Sequence, residues 1–175
     1  MTADPAGFRK DGPSVLFVCT ANMVRSPMAA ALFRARLSKA RSNWNQWRID
    51  SAGTWAVEGE QAARPSRAVM SKRGLDISSH RAKTVTAEML ASFDLILTME
   101  PGHKEALQVE FPTVANRVYL LSEMDGQVLA VEDPYGRSLE TYEAAAEKID
   151  QMLSRGMQRI LSLAEGRRKT PGSNQ

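Results

Sequence analysis

The chain has very little cysteine: Cys19 is the only one, and there are only two histidines. A single cysteine cannot close an intramolecular disulfide, so the sequence excludes a secreted scaffold held together by disulfides. It equally gives no basis for a zinc site built on cysteine ligands. We therefore expect no metal and no cofactor.

Long apolar runs are also absent. The densest run, residues 15–19, is far shorter than the ~20 apolar residues that a membrane-spanning helix needs. Residues 1–12 are polar and contain Pro5, Gly7 and Gly12, without the apolar segment of a signal peptide. We expect a cytoplasmic protein that does not bind membranes.

Basic residues are in slight excess, and aromatic residues make up only 6% of the chain. The formal net charge is +3, and part of it lies in Arg167, Arg168 and Lys169. A nucleic-acid-binding protein usually has a concentrated basic stripe interleaved with aromatics, and none is present. The composition predicts no nucleic-acid partner, while the mild positive charge favours an anionic substrate.

The 175 residues, 43% of them hydrophobic, are enough for one domain with a substantial core and too few for two. We predict a single domain over residues 13–166. Residues 1–12 are expected to form a flexible N-terminal segment, and residues 167–175 a flexible basic tail.

Apolar patterning predicts strands that alternate with helices. The predicted strands are residues 14–19, 47–51, 94–98 and 117–121, and the predicted helices are 26–40, 64–73, 87–92, 101–110 and 138–166. Ser26 and Thr86 are predicted as N-caps, and Gly74 as a helix stop. Such alternation is typical of a three-layer α/β fold, with a four-stranded parallel sheet and helices on both faces. Ligands of these folds lie at the carboxyl ends of the strands, so the loop after the first strand is the candidate site.

That loop contains the lone cysteine. Cys19 and Arg25 bracket five residues between the end of the first strand and the start of a helix. The backbone N–H groups at such a junction form a cradle for phosphate, and their positive field favours the reactive thiolate form of a cysteine. The planar guanidinium of Arg25 can hold two phosphate oxygens at once. Without this context, Cys19 would be interpreted as a small apolar residue at a buried strand end, as most isolated cysteines are.

The segment resembles the signature of the low-molecular-weight protein-tyrosine phosphatase family, which is a strand, a cysteine, five residues and Arg-Ser-Pro. Three later segments resemble the family in the same order: Ser-Ala-Gly-Thr at 51–54, Ser-His-Arg-Ala at 79–82, and Asp-Pro-Tyr at 133–135. The resemblance covers nearly the whole chain and implies the parallel α/β fold of that family, with its phosphate-binding loop after the first strand.

The resemblance implies a phosphatase that hydrolyses phosphotyrosine in proteins through a phosphocysteine intermediate. Cys19 is then the nucleophile, Arg25 the phosphate clamp and Asp133 the general acid, which later acts as base for the attacking water. The leaving tyrosine oxygen has a pKa of about 10, so donating a proton to it removes a large penalty. Without this context, Asp133-Pro134 would be interpreted as the start of a turn.

The resemblance also assigns supporting roles. The other residues of the phosphate-binding loop are Thr20, Ala21, Asn22, Met23, Val24 and Ser26. The residues expected to hold the loop in shape through hydrogen bonds are Asn22, Ser26, Ser51 and His80. Trp55 and Tyr135 are expected to form the pocket walls. The expected partner is a phosphorylated protein, and the loop is expected to bind phosphate, sulfate or vanadate.

Two residues near the third strand receive no functional role from the sequence. Glu100 stands where the family commonly has aspartate, and His103 is expected to be an exposed residue at a helix start. In the loop itself, Ala21 stands where the family usually has glycine, which leaves the loop stiffer or slightly reshaped.

Two alternatives remain open at this point. Thr20 after the nucleophile, together with Gly136 and Ser138, resembles the bacterial protein-arginine phosphatase branch, which uses the same mechanism. A non-catalytic phosphate-binding module is the other alternative, and Ala21 is its only support.

Overall fold

The computed structural model describes residues 12–167 of the 175-residue chain. The predicted flexible segments therefore lie almost wholly outside the described residues. Within 12–167 the four strands are β1 Ser14–Cys19, β2 Arg48–Gly53, β3 Leu95–Thr98 and β4 Val118–Leu120. The α-helices are α1 Arg25–Ala40, α2 Arg64–Lys72, α3 Ala87–Ala91, α4 Pro101–Glu110 and α5 Leu139–Gly166. Short 3-10 helices occur at Trp44–Gln46, Pro112–Arg117 and Leu121–Asp125.

The strands form one parallel sheet in the order β2-β1-β3-β4, with helices on both faces. Alternate residues of β1 point to opposite faces, so Phe17 packs in the core with α1, α2 and α5, while Leu16 packs in the second core with α3 and α4. All six residues of β1 are buried, which explains why it is a continuous apolar run in the sequence. The predicted three-layer α/β fold is confirmed.

The predicted boundaries of these elements lie within two residues of the observed ones, and the helix over 101–110 is matched at both ends. Thr86 is confirmed as an N-cap, since its side chain accepts a hydrogen bond from the backbone N–H of Met89. The prediction of Ser26 as an N-cap is wrong, because α1 begins at Arg25 after Val24, which makes no side-chain cap. The sequence did not predict the 3-10 helices, whose few residues are too short to show a period.

The sheet order places β1 between β2 and β3. The chain leaves β1 toward one neighbour and returns to the other, and this reversal opens a crevice at the carboxyl ends of the strands. The register pairs Cys19 with Gly53 of β2 and Val18 with Thr98 of β3. The loop that follows Cys19 therefore lies in this crevice, beside the ends of two further strands.

No helix within residues 12–167 combines the length and the apolarity that crossing a membrane would require.

Candidate active site

Cys19 ends β1 and is only 2% exposed. Its Sγ lies 3.0 Å from the hydroxyl oxygen of Ser26, in the first turn of α1. Either atom could be the donor in this contact, and the amino-terminal end of α1 places its positive field beside the sulfur. This contact explains why Ser26 does not cap the helix: its hydroxyl is used inside the loop.

Asn22 holds the middle of the loop in an uncommon conformation. Its φ is 55°, in the left-handed region, and its side chain is fully buried. Its Nδ2 donates to Ser26 Oγ and to Ser51 Oγ at 2.9 Å each, and its Oδ1 accepts from the backbone N–H of Lys83 at 3.0 Å. Its carbonyl oxygen accepts from His80 Nε2 at 2.6 Å. Asparagine tolerates this conformation better than most residues, and the hydrogen bonds fix it there.

The structure thus brings together all four residues for which the sequence predicted a loop-supporting network, and adds the backbone of Lys83. Burial lowers the pKa of His80, while its hydrogen bond to Asn22 acts in the opposite direction. Nε2 carries a proton in this hydrogen bond, because a carbonyl oxygen can only accept.

Gly53 lies against the same loop. A Cβ at this position would stand 2.3 Å from the carbonyl oxygen of Thr20 and 3.1 Å from the backbone nitrogen of Asn22. The backbone hydrogen bonds between β1 and β2 continue past the end of β2. The N–H of Thr54 donates to the carbonyl oxygen of Cys19 at 2.9 Å, and the N–H of Trp55 donates to that of Thr20 at 3.0 Å. Only glycine permits this close approach.

Replacing Gly53 by alanine is expected to push the loop away from β2 and reduce kcat/KM by about a hundredfold, as ångström-scale misplacement at an active site does. The thermal unfolding temperature should fall as well, because a Cβ overpacks the contact. Steady-state kinetics and a melting curve measure the two effects.

Gly102→Ala is the matched control for that substitution, since a Cβ on Gly102 in α4 would meet no atom within 4 Å. It should leave kcat/KM unchanged. Activity of Gly53→Ala within twofold of the unsubstituted protein would show that the loop does not depend on this contact.

Arg25 is almost completely buried, with 1% of its side chain exposed. Its Nη1 donates to the carboxylate of Glu100 and, at 2.9 Å, to the carbonyl oxygen of Val131. Its Nη2 lies 3.3 Å from Asp133 Oδ2 and 3.4 Å from Thr20 Oγ1, and among the described residues its Nε has no partner. One side of the guanidinium is therefore anchored, while Nε and the weakly engaged Nη2 remain able to donate to two oxygens of one anion.

Asp133 lies within ion-pair distance of this guanidinium, with 42% of its side chain exposed. Its Oδ1 accepts from the backbone N–H of Tyr135 at 3.1 Å, which orients the carboxylate. The predicted wall residues Trp55 and Tyr135 are both highly exposed, one next to the loop and the other next to Asp133.

The remaining predicted loop residues differ in their burial. Val24 is buried in the core under α1, whereas Ala21 and Met23 are half-buried. The carbonyl oxygen of Met23 accepts from the backbone N–H of Ala63 at 2.8 Å, which ties the loop to the start of α2. Residues 12–167 contain no cluster of His, Cys, Asp or Glu side chains arranged to hold a metal ion.

Sequence reasoning missed two residues at this site. Glu100 received no role, yet its carboxylate pairs with Arg25. The prediction that His103 is exposed is wrong: it is 8% exposed, and its Nε2 lies 2.8 Å from Thr20 Oγ1. Both follow β3, whose carboxyl end opens into the same crevice as that of β1. That position after a parallel strand is the signal that could have identified them.

Comparison with known proteins gives a consistent result. The family model described as low molecular weight phosphotyrosine protein phosphatase matches residues 14–165. A probable low molecular weight protein-tyrosine-phosphatase, EpsP, from Ralstonia nicotianae is 35% identical over 150 residues, which cover 86% of this chain and 97% of that protein.

Two further relatives extend the comparison. The crystal structure of the low molecular weight protein tyrosine phosphatase from T. tengcongensis is 40% identical, with a TM-score of 0.78, and the match covers 85% of this chain and 99% of that one. A protein-arginine-phosphatase from Geobacillus stearothermophilus is 30% identical over 142 residues, covering 81% of this chain and 91% of that protein.

Proposed function

The chain belongs to the low molecular weight phosphotyrosine protein phosphatase family, and from this premise we propose that it hydrolyses phosphotyrosine in proteins, with Cys19, Arg25 and Asp133 as its catalytic residues. Enzymes of this family work through a phosphocysteine intermediate. The observation that carries the proposal is the meeting of the Cys19 loop with the guanidinium of Arg25 and the carboxylate of Asp133 at the carboxyl end of β1.

In the first step the phosphate group lies in the cradle of loop N–H groups, and Arg25 holds two of its oxygens through Nε and Nη2. The Cys19 thiolate attacks phosphorus, and the bond from phosphorus to the tyrosine oxygen breaks. Asp133 transfers its proton to that oxygen, so the product leaves as a neutral phenol.

In the second step Asp133, now a carboxylate, takes a proton from a water molecule as that water attacks the phosphocysteine. The phosphorus–sulfur bond breaks, inorganic phosphate is released and the Cys19 thiolate is restored. Ser26, at 3.0 Å from the sulfur, donates its hydroxyl to the departing thiolate. Glu100 keeps Arg25 in place through both steps by anchoring Nη1, which is the nitrogen not needed for the anion.

Phosphoarginine in proteins is the second candidate substrate, attacked by the same residues at a phosphorus–nitrogen bond. Its support is the resemblance of Thr20, directly after the nucleophile, and of Gly136 and Ser138 to the protein-arginine phosphatase branch. The arginine phosphatase of G. stearothermophilus is a relative at 30% identity, whereas the named tyrosine phosphatases reach 35% and 40%. We place phosphotyrosine first on this ground.

The test compares kcat/KM on phosphotyrosine and phosphoarginine peptides of matched sequence, with phosphate release as the signal. We expect the higher value for phosphotyrosine. A higher value for phosphoarginine would reverse the substrate assignment and keep the mechanism. Failure to release p-nitrophenol from its phosphate ester would instead favour the non-catalytic phosphate-binding module.

We also propose that residues 13–166 act as one domain in the cytoplasm. The family model spans 14–165, and both hydrophobic cores rest on the one sheet. A nucleophilic thiol without a second cysteine suits a reducing compartment, where it stays reduced.

A further inference from the structure

Thr20 and His103 meet at the mouth of the loop. Thr20 follows the nucleophile directly and is exposed, whereas His103 comes from the first turn of α4 and is buried. The Nε2 of His103 lies 2.8 Å from Thr20 Oγ1, a distance typical of a good hydrogen bond. The same hydroxyl oxygen is 3.4 Å from Nη2 of Arg25, so the contact borders the place proposed for the phosphate.

The surroundings of His103 disfavour its protonation. Burial lowers its pKa, and the charge of Arg25 lowers it further, while Glu100 and Asp133 act in the opposite direction. Its Nδ1 is buried, with no hydrogen-bond partner among the described residues. The contact with Thr20 is therefore the hydrogen bond that orients this ring, and it forms with a neutral imidazole in either tautomer.

The contact decides where the methyl group of Thr20 points. A threonine side chain has three staggered positions about its Cα–Cβ bond, so holding Oγ1 in one of them also fixes the methyl. Because Thr20 follows Cys19 directly and its Oγ1 is 3.4 Å from Nη2 of Arg25, the orientation of its side chain shapes the space beside the place proposed for the phosphate. Without its hydrogen bond to His103, Thr20 could rotate about its Cα–Cβ bond and place either its hydroxyl or its methyl group in this space.

We propose that His103 is a positioning residue that holds Thr20 in a single rotamer and thereby sets which leaving groups the pocket accepts. The proposal rests on the proposed phosphatase function and adds a residue that does not touch the reacting atoms. It requires that His103 and Thr20 act as one unit on substrate selectivity, while the phosphate cradle itself stays intact.

The test uses His103→Ala, Thr20→Val and the double variant. Valine keeps the shape of Thr20 and removes its hydrogen bond. For each protein the ratio of kcat/KM on matched phosphotyrosine and phosphoarginine peptides is measured. Each single variant is expected to shift this ratio by about tenfold, the scale of methyl-sized discrimination in a pocket. The double variant should shift it no further, since both changes remove one contact.

Two further measurements separate positioning from general damage. The inhibition constant of inorganic phosphate for His103→Ala should stay within twofold of the value for the unsubstituted protein, because the proposed cradle consists of backbone N–H groups of the loop and Arg25, not His103. His103→Gln, whose amide can reach the Thr20 hydroxyl, should restore much of the original ratio. Thr20→Val is an exposed, shape-conserving change, so it tests the contact even if His103→Ala does not fold.

An unchanged ratio in Thr20→Val or in a folded His103→Ala would overturn the proposal, as would shifts that add in the double variant. If the unsubstituted protein releases phosphate from neither peptide, the proposed function itself is overturned, and this proposal with it. The two failures can be told apart, because the ratio of kcat/KM values on the two peptides can be measured only with an active enzyme.

Discussion

Cys19→Ser is expected to lower kcat on phosphotyrosine by about 10⁴-fold or more, the scale seen when a catalytic nucleophile is lost. Serine keeps the size of the side chain, but its hydroxyl is scarcely ionised at neutral pH and has no general base among its contacts to activate it. The cradle of N–H groups and Arg25 is unchanged, so inorganic phosphate should still bind. Single-turnover kinetics and calorimetric titration with phosphate measure the two properties separately.

A control is available because Cys19 is the only cysteine in the chain. One equivalent of a thiol alkylating reagent should remove all activity from the unsubstituted protein, and saturating phosphate should slow that loss by covering the sulfur. Residual activity of Cys19→Ser above about a tenth of the original would contradict the assignment of the nucleophile, given the size of the expected loss.

Asp133→Asn is expected to slow hydrolysis of a phosphotyrosine peptide by about 10²- to 10⁴-fold, the usual contribution of a general acid. An ester of a strongly acidic phenol needs little protonation as it leaves, so its hydrolysis should slow far less. Asparagine retains the oxygen that accepts from the Tyr135 N–H, which keeps the local turn. The measurement is kcat for both esters, with a pre-steady-state burst to separate the two chemical steps.

Glu132→Gln is the matched control for that experiment, because Glu132 is the neighbouring exposed carboxylate and has no role in the mechanism. It should leave both rates unchanged. Equal slowing of the two esters by Asp133→Asn would mean that Asp133 acts only through its ion pair with Arg25.

The fold could be predicted because its signals are local. The apolar run of β1 and the three- and four-residue spacing along α5 are properties of short segments, and they located the elements to within two residues. The candidate catalytic residues could be predicted because four short segments resemble one family in the same order. The contacts that complete the site could not be predicted, because the residues involved are far apart in the sequence. Glu100 lies 75 residues after its partner Arg25, and His103 lies 83 residues after its partner Thr20.

The case of Ser26 has the same physical origin. A serine before proline at the start of an apolar helix is typical of an N-cap, but the hydroxyl is recruited by Cys19 Sγ and the Asn22 amide instead. Local preference gives way where a buried polar network must be satisfied.

The hydrogen bonds of Asn22 also have a consequence for the order of events in folding. The partners of Asn22 on Ser51, His80 and Lys83 are 29, 58 and 61 residues away in the chain. The start of α1 can form early from neighbouring residues, whereas β1 needs its partner strands and the shape of the loop between them depends on these distant contacts and on the closure entropy they require. We therefore expect catalytic competence to arrive late in folding, and a local opening of the segment around residues 80–83 to remove it while most of the sheet is still intact.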